Sequence, residues 1–490
     1  MALCHFQISS FSRWKATTHF LITMAPMTMK APSYIADLLL IKIPERIAEN
    51  LVIKDSNGTL IFDFSNSRCV SYFFHEWLHY VHNVSTVNGV YAFASIINMW
   101  ANFRHKIDSS GISTSENKLS TRTESIVKRT HIYRMNSRRL RDNPAEIQQI
   151  NIKSELISAH PITSKLSETV PDHPTEEFTV IQCEVRVNDN QNLTLAEIGI
   201  VEIIEGVASL LEERFLLMHG ELPTPSNIAP YRLILVLARK LVPDIKNDEI
   251  VACAISSLQC EDPPLALMEI LITIEKIPSD QRLDRLKNIT IARLNEYAKV
   301  LDDIFTQTEN IFPLLEPMGN SVKDIIKIMK EKIDLRKKAP FFELLMLDQV
   351  KSEPIENRDT RLKNIIAEFS CPRILLTQAG EETLNRDEIL NFGNPAWITD
   401  EFQFGQQKLH SALHFLWLHL SEDGFLDTDD TPESKVRRCC PFFTACPHQI
   451  RKEHPQICES KPWETLQIPM DPELTCWYRA GVRATRPPQD

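Results

Sequence analysis

Phe73-Phe74-His75-Glu76-Trp77-Leu78-His79-Tyr80-Val81 is the stretch on which the reading of this chain turns. It lies inside a run from Ser67 to Phe103 that has no proline and carries apolar residues at helical spacing, with Gly89 as the expected break. On a helix, residues four apart stand on one face about 6 Å from each other. His75 and His79 can therefore present two imidazoles to a single metal ion from neighbouring turns. Glu76 follows the first histidine directly, so its carboxylate lies near such an ion without binding it. From there it can take a proton from water whose pKa the metal lowers to about 7. The H-E-x-x-H spacing follows from that chemistry.

Working outward, His82 extends the same face but sits about 4.5 Å beyond His79 along the axis, too far to share one ion with His75 and His79. It is expected to line the cavity behind the ligands. A third ligand must come from elsewhere. Ile200-Val-Glu202-Ile-Ile-Glu205-Gly206-Val-Ala208-Ser209-Leu-Leu-Glu212 reads as an apolar helix with carboxylates on a buried-looking stripe. Glu205 is the candidate ligand, because a buried carboxylate needs a cation or strong hydrogen bonds. Glu202, one turn earlier, is the alternative. Gly206, Ala208 and Ser209 are small enough to let this helix approach the first one closely.

H-E-x-x-H followed far downstream by E-G-x-A-x-x-x-E resembles the gluzincin branch of zinc metallopeptidases. The tract His75 to Gly89, with Asn83, Ser85 and Thr86, also resembles uncharacterised bacterial proteins of this type. The resemblance covers two short segments and implies a zincin-like fold. It implies Zn2+ held by His75, His79 and Glu205, with Glu76 as catalytic base and a protein or peptide as substrate. The gap of more than a hundred residues between the motifs is longer than in the best-known gluzincins. No residue for stabilising a tetrahedral intermediate can be matched; Tyr231 and His219 lie downstream of the second helix.

The fold class expected is α+β, predominantly helical. Residues 1–33 read as a leader, and 34–220 as a zincin-like domain with a hairpin, the motif helix and a basic insertion near 104–145. Residues 221–430 read as a helical region, and 431–490 as a Cys-rich segment. Within the first domain a short helix from about residue 34 precedes a hairpin of Asn50-Leu-Val-Ile-Lys and Thr59-Leu-Ile-Phe-Asp-Phe. Arg104 to Arg141 holds ten Lys/Arg against three Asp/Glu, the composition of a solvated helix or insertion. Glu177 to Val187 alternates as a strand, and the pattern turns helical from Leu195 to about Leu347, punctuated by prolines. A last helix is expected at Phe402 to Leu420.

Composition narrows the function classes. The chain has 490 residues and a formal net charge of -11, which leaves no global footprint for nucleic acid. Its 12 glycines are few, where ordinary usage near 7% would give about 34. It has neither G-x-G-x-x-G nor a P-loop pattern, which argues against dinucleotide and nucleotide-phosphate sites. No stretch approaches the roughly 18 apolar residues of a membrane helix. Eleven cysteines, odd in number and scattered, suit a reduced cytoplasmic setting.

Five cysteines concentrate at the end: Cys439, Cys440, Cys446, Cys458 and Cys476. Cys440, Cys446, Cys458 and Cys476 are a candidate second metal site, for structural zinc or an iron–sulfur cluster, with disulfides or inert thiols as the alternatives. His410 and His414, four apart in an apolar run, read as core or interface. Two functional readings stay open. One is a zinc metallopeptidase, with the helical region as a substrate cradle or a surface for a regulatory partner. The other is a non-catalytic, zinc-stabilised interaction protein whose motif is a relic. A di-iron carboxylate site would need a second E-x-x-H, and Glu76 is the one glutamate with a histidine three residues on.

Overall fold

The computed structural model describes residues 32–36, 39–54, 56, 60–104, 154–165, 177–187, 193–223, 226, 228–313, 316–377, 388–390, 400–421, 424–425, 439–443, 446, 448–469 and 476–485. The architecture of these residues is predominantly helical with a few small sheets, an α+β arrangement as expected. Residues 1–31 of the expected leader and the basic stretch after Arg104 lie outside the described residues; the leader's last position, Ser33, opens the first strand. Among the described residues, no helix is long and apolar enough to cross a membrane.

The first difference from the sequence reading falls at residues 34–49. Instead of one helix, the chain forms β1 (Ser33–Ile35), β2 (Leu40–Pro44) and a single helical turn, α1 (Glu45–Ala48). Every residue of β2 is buried. Lys42 apart, β2 is a short apolar run of the kind a strand covered on both faces requires, and periodicity cannot distinguish such a run from helix. The partner that decides the matter is distant in sequence. β2 pairs in parallel with β8 (Arg373–Thr377), Leu40 opposite Arg373, and β1 pairs antiparallel with β2 at the sheet edge. β9 (Glu388–Leu390) closes the other edge.

The hairpin forms as read, with β3 (Val52–Lys54) antiparallel to β4 (Leu60–Phe62). Helix α2 (Ser67–Ser85) follows, started by the Asn66 side chain accepting from the Cys69 amide at 3.1 Å. Valines, aromatics and leucines are buried around nearly its whole circumference, the mark of a helix running through a core. α3 (Val87–Phe103) comes next, and the break lies at Thr86 rather than Gly89. Thr86 is extended, and its hydroxyl accepts from the Gly89 amide at 3.0 Å and donates to the His82 carbonyl at 2.7 Å. Gly89 has a different use: a Cβ there would lie 2.0 Å from the Asn83 carbonyl oxygen, so only glycine lets α3 start against the end of α2.

β5 (Ser154–Lys165), β6 (Glu177–Val187) and β7 (Leu193–Ile198) form an antiparallel meander. β6 has the bounds read from its alternation. Pairing with β6 keeps the chain extended to Ile198, so the next helix, α4 (Ile200–Met218), starts five residues later than the pattern alone suggested. Helices α5 (Leu233–Leu241), α6 (Asn247–Ser257), α7 (Pro263–Glu275), α8 (Ser279–Glu296) and α9 (Ala298–Glu309) follow. The series continues with α10 (Pro317–Lys338), α11 (Phe342–Ser352) and α12 (Arg358–Phe369). After β8 and β9, α13 (Asp400–Leu418) carries the expected last long helix. The tail adds α14 (Gln449–Glu453), α15 (Pro455–Ser460) and α16 (Trp477–Ala484). One buried apolar cluster runs from Leu39 to Val482.

Two contacts fix α2 from behind. The Trp77 indole donates to the Ser370 carbonyl at 2.9 Å, and the Tyr80 hydroxyl meets Ser370 Oγ at 3.0 Å. Ser370 adopts φ 102°, a conformation that L residues rarely take, and these two bonds help to hold it there. At the other end, the fully buried Arg336 guanidinium donates to the Ser85 carbonyl (2.9 Å), Ser85 Oγ (2.6 Å) and the Pro340 carbonyl (2.8 Å). Its counter-charge is Glu343, also buried, at 2.6 and 3.2 Å. His82 lies here, its Nε2 3.6 Å from Glu343, and not behind the ligands. The histidine points to α11 because the helix stripe through 75, 79 and 82 drifts off the metal-facing side as it advances.

Replacing Glu343 with Leu leaves the buried Arg336 without its counter-charge and should cost about 3–5 kcal/mol, read from the denaturant midpoint at constant slope. Burial, reinforced by nearby positive charge, holds His82 and His410 well below the ordinary imidazole range. Both stay neutral when folded but take up a proton near pH 6.5 when unfolded, so the stability they contribute is lost as pH falls below about 6.5. The expected slope is about 1.4 kcal/mol per pH unit for each. His82→Leu should remove one such share between pH 6.5 and 5, measured by denaturation at several pH values.

Candidate metal centre

α2 and α4 run antiparallel, and the site lies along their seam. Phe74 of α2 packs against Phe215 of α4, ring centres 5.6 Å apart, which sets the two helices' spacing. Below the Phe pair, α4 turns carboxylates toward the imidazoles of α2. Glu205 Oε2 lies 3.2 Å from His75 Nε2 and 3.4 Å from His79 Nε2. One ligand atom from each of His75, His79 and Glu205 falls within 4.8 Å of the others, and among the described residues this is the one group of three or more that does so. Tetrahedral zinc with bonds of about 2.0–2.1 Å spaces its ligand atoms about 3.4 Å apart. The donor set is one zinc accepts, and both glutamate–histidine separations match that spacing.

Of the two glutamates weighed from the sequence, the structure brings Glu205 to the histidines and not Glu202. Glu202 is buried, and its carboxylate accepts from the Gly199 amide at 2.9 Å, capping the start of its own helix. Gly206 also differs in use from the reading. Its bare face admits Ile234, whose Cγ1 would lie 2.5 Å from a Cβ, together with the carbonyl of Tyr231. The close approach is to the first turn of α5 and the residues just before it, and not to α2.

A residue that sequence reasoning left without a role is Glu212. Its Oε2 lies 3.0 Å from His75 Nδ1, and its Oε1 accepts from Ser71 Oγ at 3.1 Å. A carboxylate on Nδ1 orients the imidazole and leaves Nε2 to face the metal, the usual outer partner of a histidine ligand. The available signal was spacing: Glu205 and Glu212 are seven apart, two turns along one helix face. The N-terminus of α2 is tied to the loop after α4 by Ser67 and Arg68, both bonded to Glu221.

The electrostatics follow from burial and pairing. His75 is desolvated, which alone would lower its pKa, yet Glu205 and Glu212 hold it well above the ordinary imidazole range. Glu205 is desolvated too, but the charges and hydrogen bonds of His79 and His75 pull it below the ordinary carboxylate range. Glu76 is the group that burial pushes upward, opposed in part by His79 and His75 and by the Tyr34 backbone amide, which donates to it. It is half-buried and next to the ligand group without belonging to it.

No protein-family model, curated protein or solved structure matches this chain. The site therefore speaks through its geometry alone. The Tyr231 ring stands 6.0 Å from that of His75, edge to face, at the mouth of the seam. His219 turns away; its Nδ1 meets the Phe215 carbonyl at 2.9 Å and its Nε2 lies 3.2 Å from Asp359. His410 and His414 stand between α13 and the tail, His410 against the Phe442 ring and His414 Nδ1 3.0 Å from the Tyr478 hydroxyl.

Glu212→Gln keeps the shape but weakens the carboxylate–imidazole bond. Zinc affinity should fall about 10- to 100-fold, measured by competition with a chelating dye. Glu202→Gln should leave affinity unchanged within threefold or so.

Proposed function

We propose that this chain is a zinc-dependent metallopeptidase of the gluzincin kind, acting on a protein or peptide. The observation that carries this reading is the triangle of His75 Nε2, His79 Nε2 and Glu205 Oε2 at zinc-ligand spacing, with the carboxylate of Glu76 beside it but outside the ligand set. A structural zinc site is closed by four protein ligands, whereas three ligands leave a position for water and substrate. Zinc in this position would supply Lewis-acid activation of a water molecule and of the scissile carbonyl.

The chain's own residues divide the remaining work. Glu76 accepts the proton of the attacking water and returns it to the leaving amine. A carboxyl group raised by burial is better matched to that second task than a free one. The Tyr34 amide on Glu76 fixes which way the carboxylate faces. Glu212 keeps the His75 ring from turning, and Ser71 keeps Glu212 in place. β1 is the edge strand of its sheet and runs beside α2, with the Tyr34 and Tyr80 rings 6.4 Å apart. An extended peptide added along that edge would bring a backbone amide to the site. Tyr231, whose ring stands 6.0 Å from that of His75, is the candidate to donate to a developing oxyanion. The zincin-like architecture and a reducing cytoplasmic setting belong to the same proposal.

The deciding experiment compares Glu76→Gln, His79→Ala and Glu205→Ala. Inductively coupled plasma mass spectrometry should find zinc retained in the first and lost in the other two, and hydrolysis of a mixed peptide library lost in all three. A Glu76→Gln protein that still hydrolyses peptides would remove Glu76 as the base, and a wild-type protein that hydrolyses none, or a His79→Ala protein with the wild-type zinc at this seam, would sink the reading in favour of a non-catalytic protein.

A further inference from the structure

The four tail cysteines come from three separate segments and converge. Cys440, Cys446, Cys458 and Cys476 are all buried and line one small cavity, with Phe442, Ile450, Pro462 and Trp477 among its other walls. The Cys440 amide donates to the Cys458 carbonyl at 2.7 Å, fastening two of the segments directly. Seventeen residues lie between Cys458 and Cys476, yet both face the same space.

Backbone amides are aimed at the sulfurs. The Phe442 amide donates to Cys440, the His448 amide to Cys446, and the Tyr478 and Arg479 amides to Cys476. A neutral thiol is a weak acceptor, so donors two residues after three of the four cysteines are arranged for thiolates. Arg451, 1% exposed, lines the same cavity and acts on Cys446 and Cys458 as a positive charge. A cation and amide donors around four buried sulfurs suit a group that carries net negative charge.

The spacing selects the group. A single zinc ion with bonds of about 2.3 Å draws four sulfurs to within about 3.8 Å of each other. Among the described residues the His75, His79 and Glu205 group alone is close enough to share one ion, and the four tail sulfurs form no such group. A cubane of iron and sulfide holds its four cysteine sulfurs further apart than one ion can. We propose that Cys440, Cys446, Cys458 and Cys476 ligate a four-iron, four-sulfide cluster. Four thiolates on such a core in its common oxidised state leave two negative charges, which Arg451 and the amides offset.

The cluster would pin the tail to the helical body. α16 begins at the last ligand and packs on α13, where a Cβ at Gly481 would lie 2.6 Å from the Lys408 carbonyl oxygen. This proposal uses none of the residues of the α2–α4 seam and stands apart from the peptidase reading.

The test is the metal and sulfide content of the full-length protein, purified without oxygen and, in parallel, reconstituted with ferrous iron and sulfide. Iron and acid-labile sulfide should appear in equal amounts, about four each per chain, with a broad visible charge-transfer band. Cys446→Ser and Cys476→Ser should lose most of the iron and the band, while Cys260→Ser and His79→Ala keep both. Wild-type protein that takes up no iron overturns the proposal whether or not the variants fold. So does wild-type protein whose tail carries one zinc, lost in the two tail variants alone, or two disulfides.

Discussion

Charge matching across the α2–α4 seam is the interaction on which the rest of the arrangement depends. α4 brings Glu205 and Glu212 into an apolar interface, where an unmatched carboxylate would be costly. α2 answers with His75, His79 and Ser71, each within bonding distance of those oxygens. The match works at one relative height of the two helices, and the Phe74–Phe215 contact sets that height. The bracing of α2 follows: Asn66 starts it, Ser370 receives Trp77 and Tyr80, and Arg336 grips its last turn. A metal ion entering the seam would exchange a proton for a divalent charge among groups already in place.

Much of the site was legible in the sequence because helical spacing is local. His75, Glu76 and His79 needed only the 3.6-residue repeat to be put together, and Glu205 needed only the expectation that a buried carboxylate has a partner. Glu202 was the alternative one turn earlier, but helix starts have their own unpaired amides, and it serves one of those. His82 shared the right face by angle, yet the end of α2 belongs to a different neighbourhood, built from Arg336 and Glu343 more than 250 residues later. Glu212 was visible as a letter in a motif and not as a ligand's partner, since nothing in a one-dimensional pattern reports which ring nitrogen it meets.

The fold divides in the same way. Long helices and the alternating strand β6 have local signatures and were readable to within a few residues. β2 was not, because its apolar run takes its identity from β8, a partner absent from any local window. Gly89 and Gly206 show the same limit at single residues. Each glycine signals a close approach, but the sequence does not say to what: Asn83 in one case, Ile234 in the other.

The parallel pairing of β2 with β8 joins residue 40 to residue 373, a separation of 333 positions. The Ser370 bonds to α2 lie just before β8. A ribosome adding about 5–20 residues each second needs tens of seconds to bridge that interval. Until then β2 has no central neighbour, and α2 lacks its rear support. The growing chain thus carries H-E-x-x-H long before it carries the frame that holds it, so a finished site can arise only once β8 has been made.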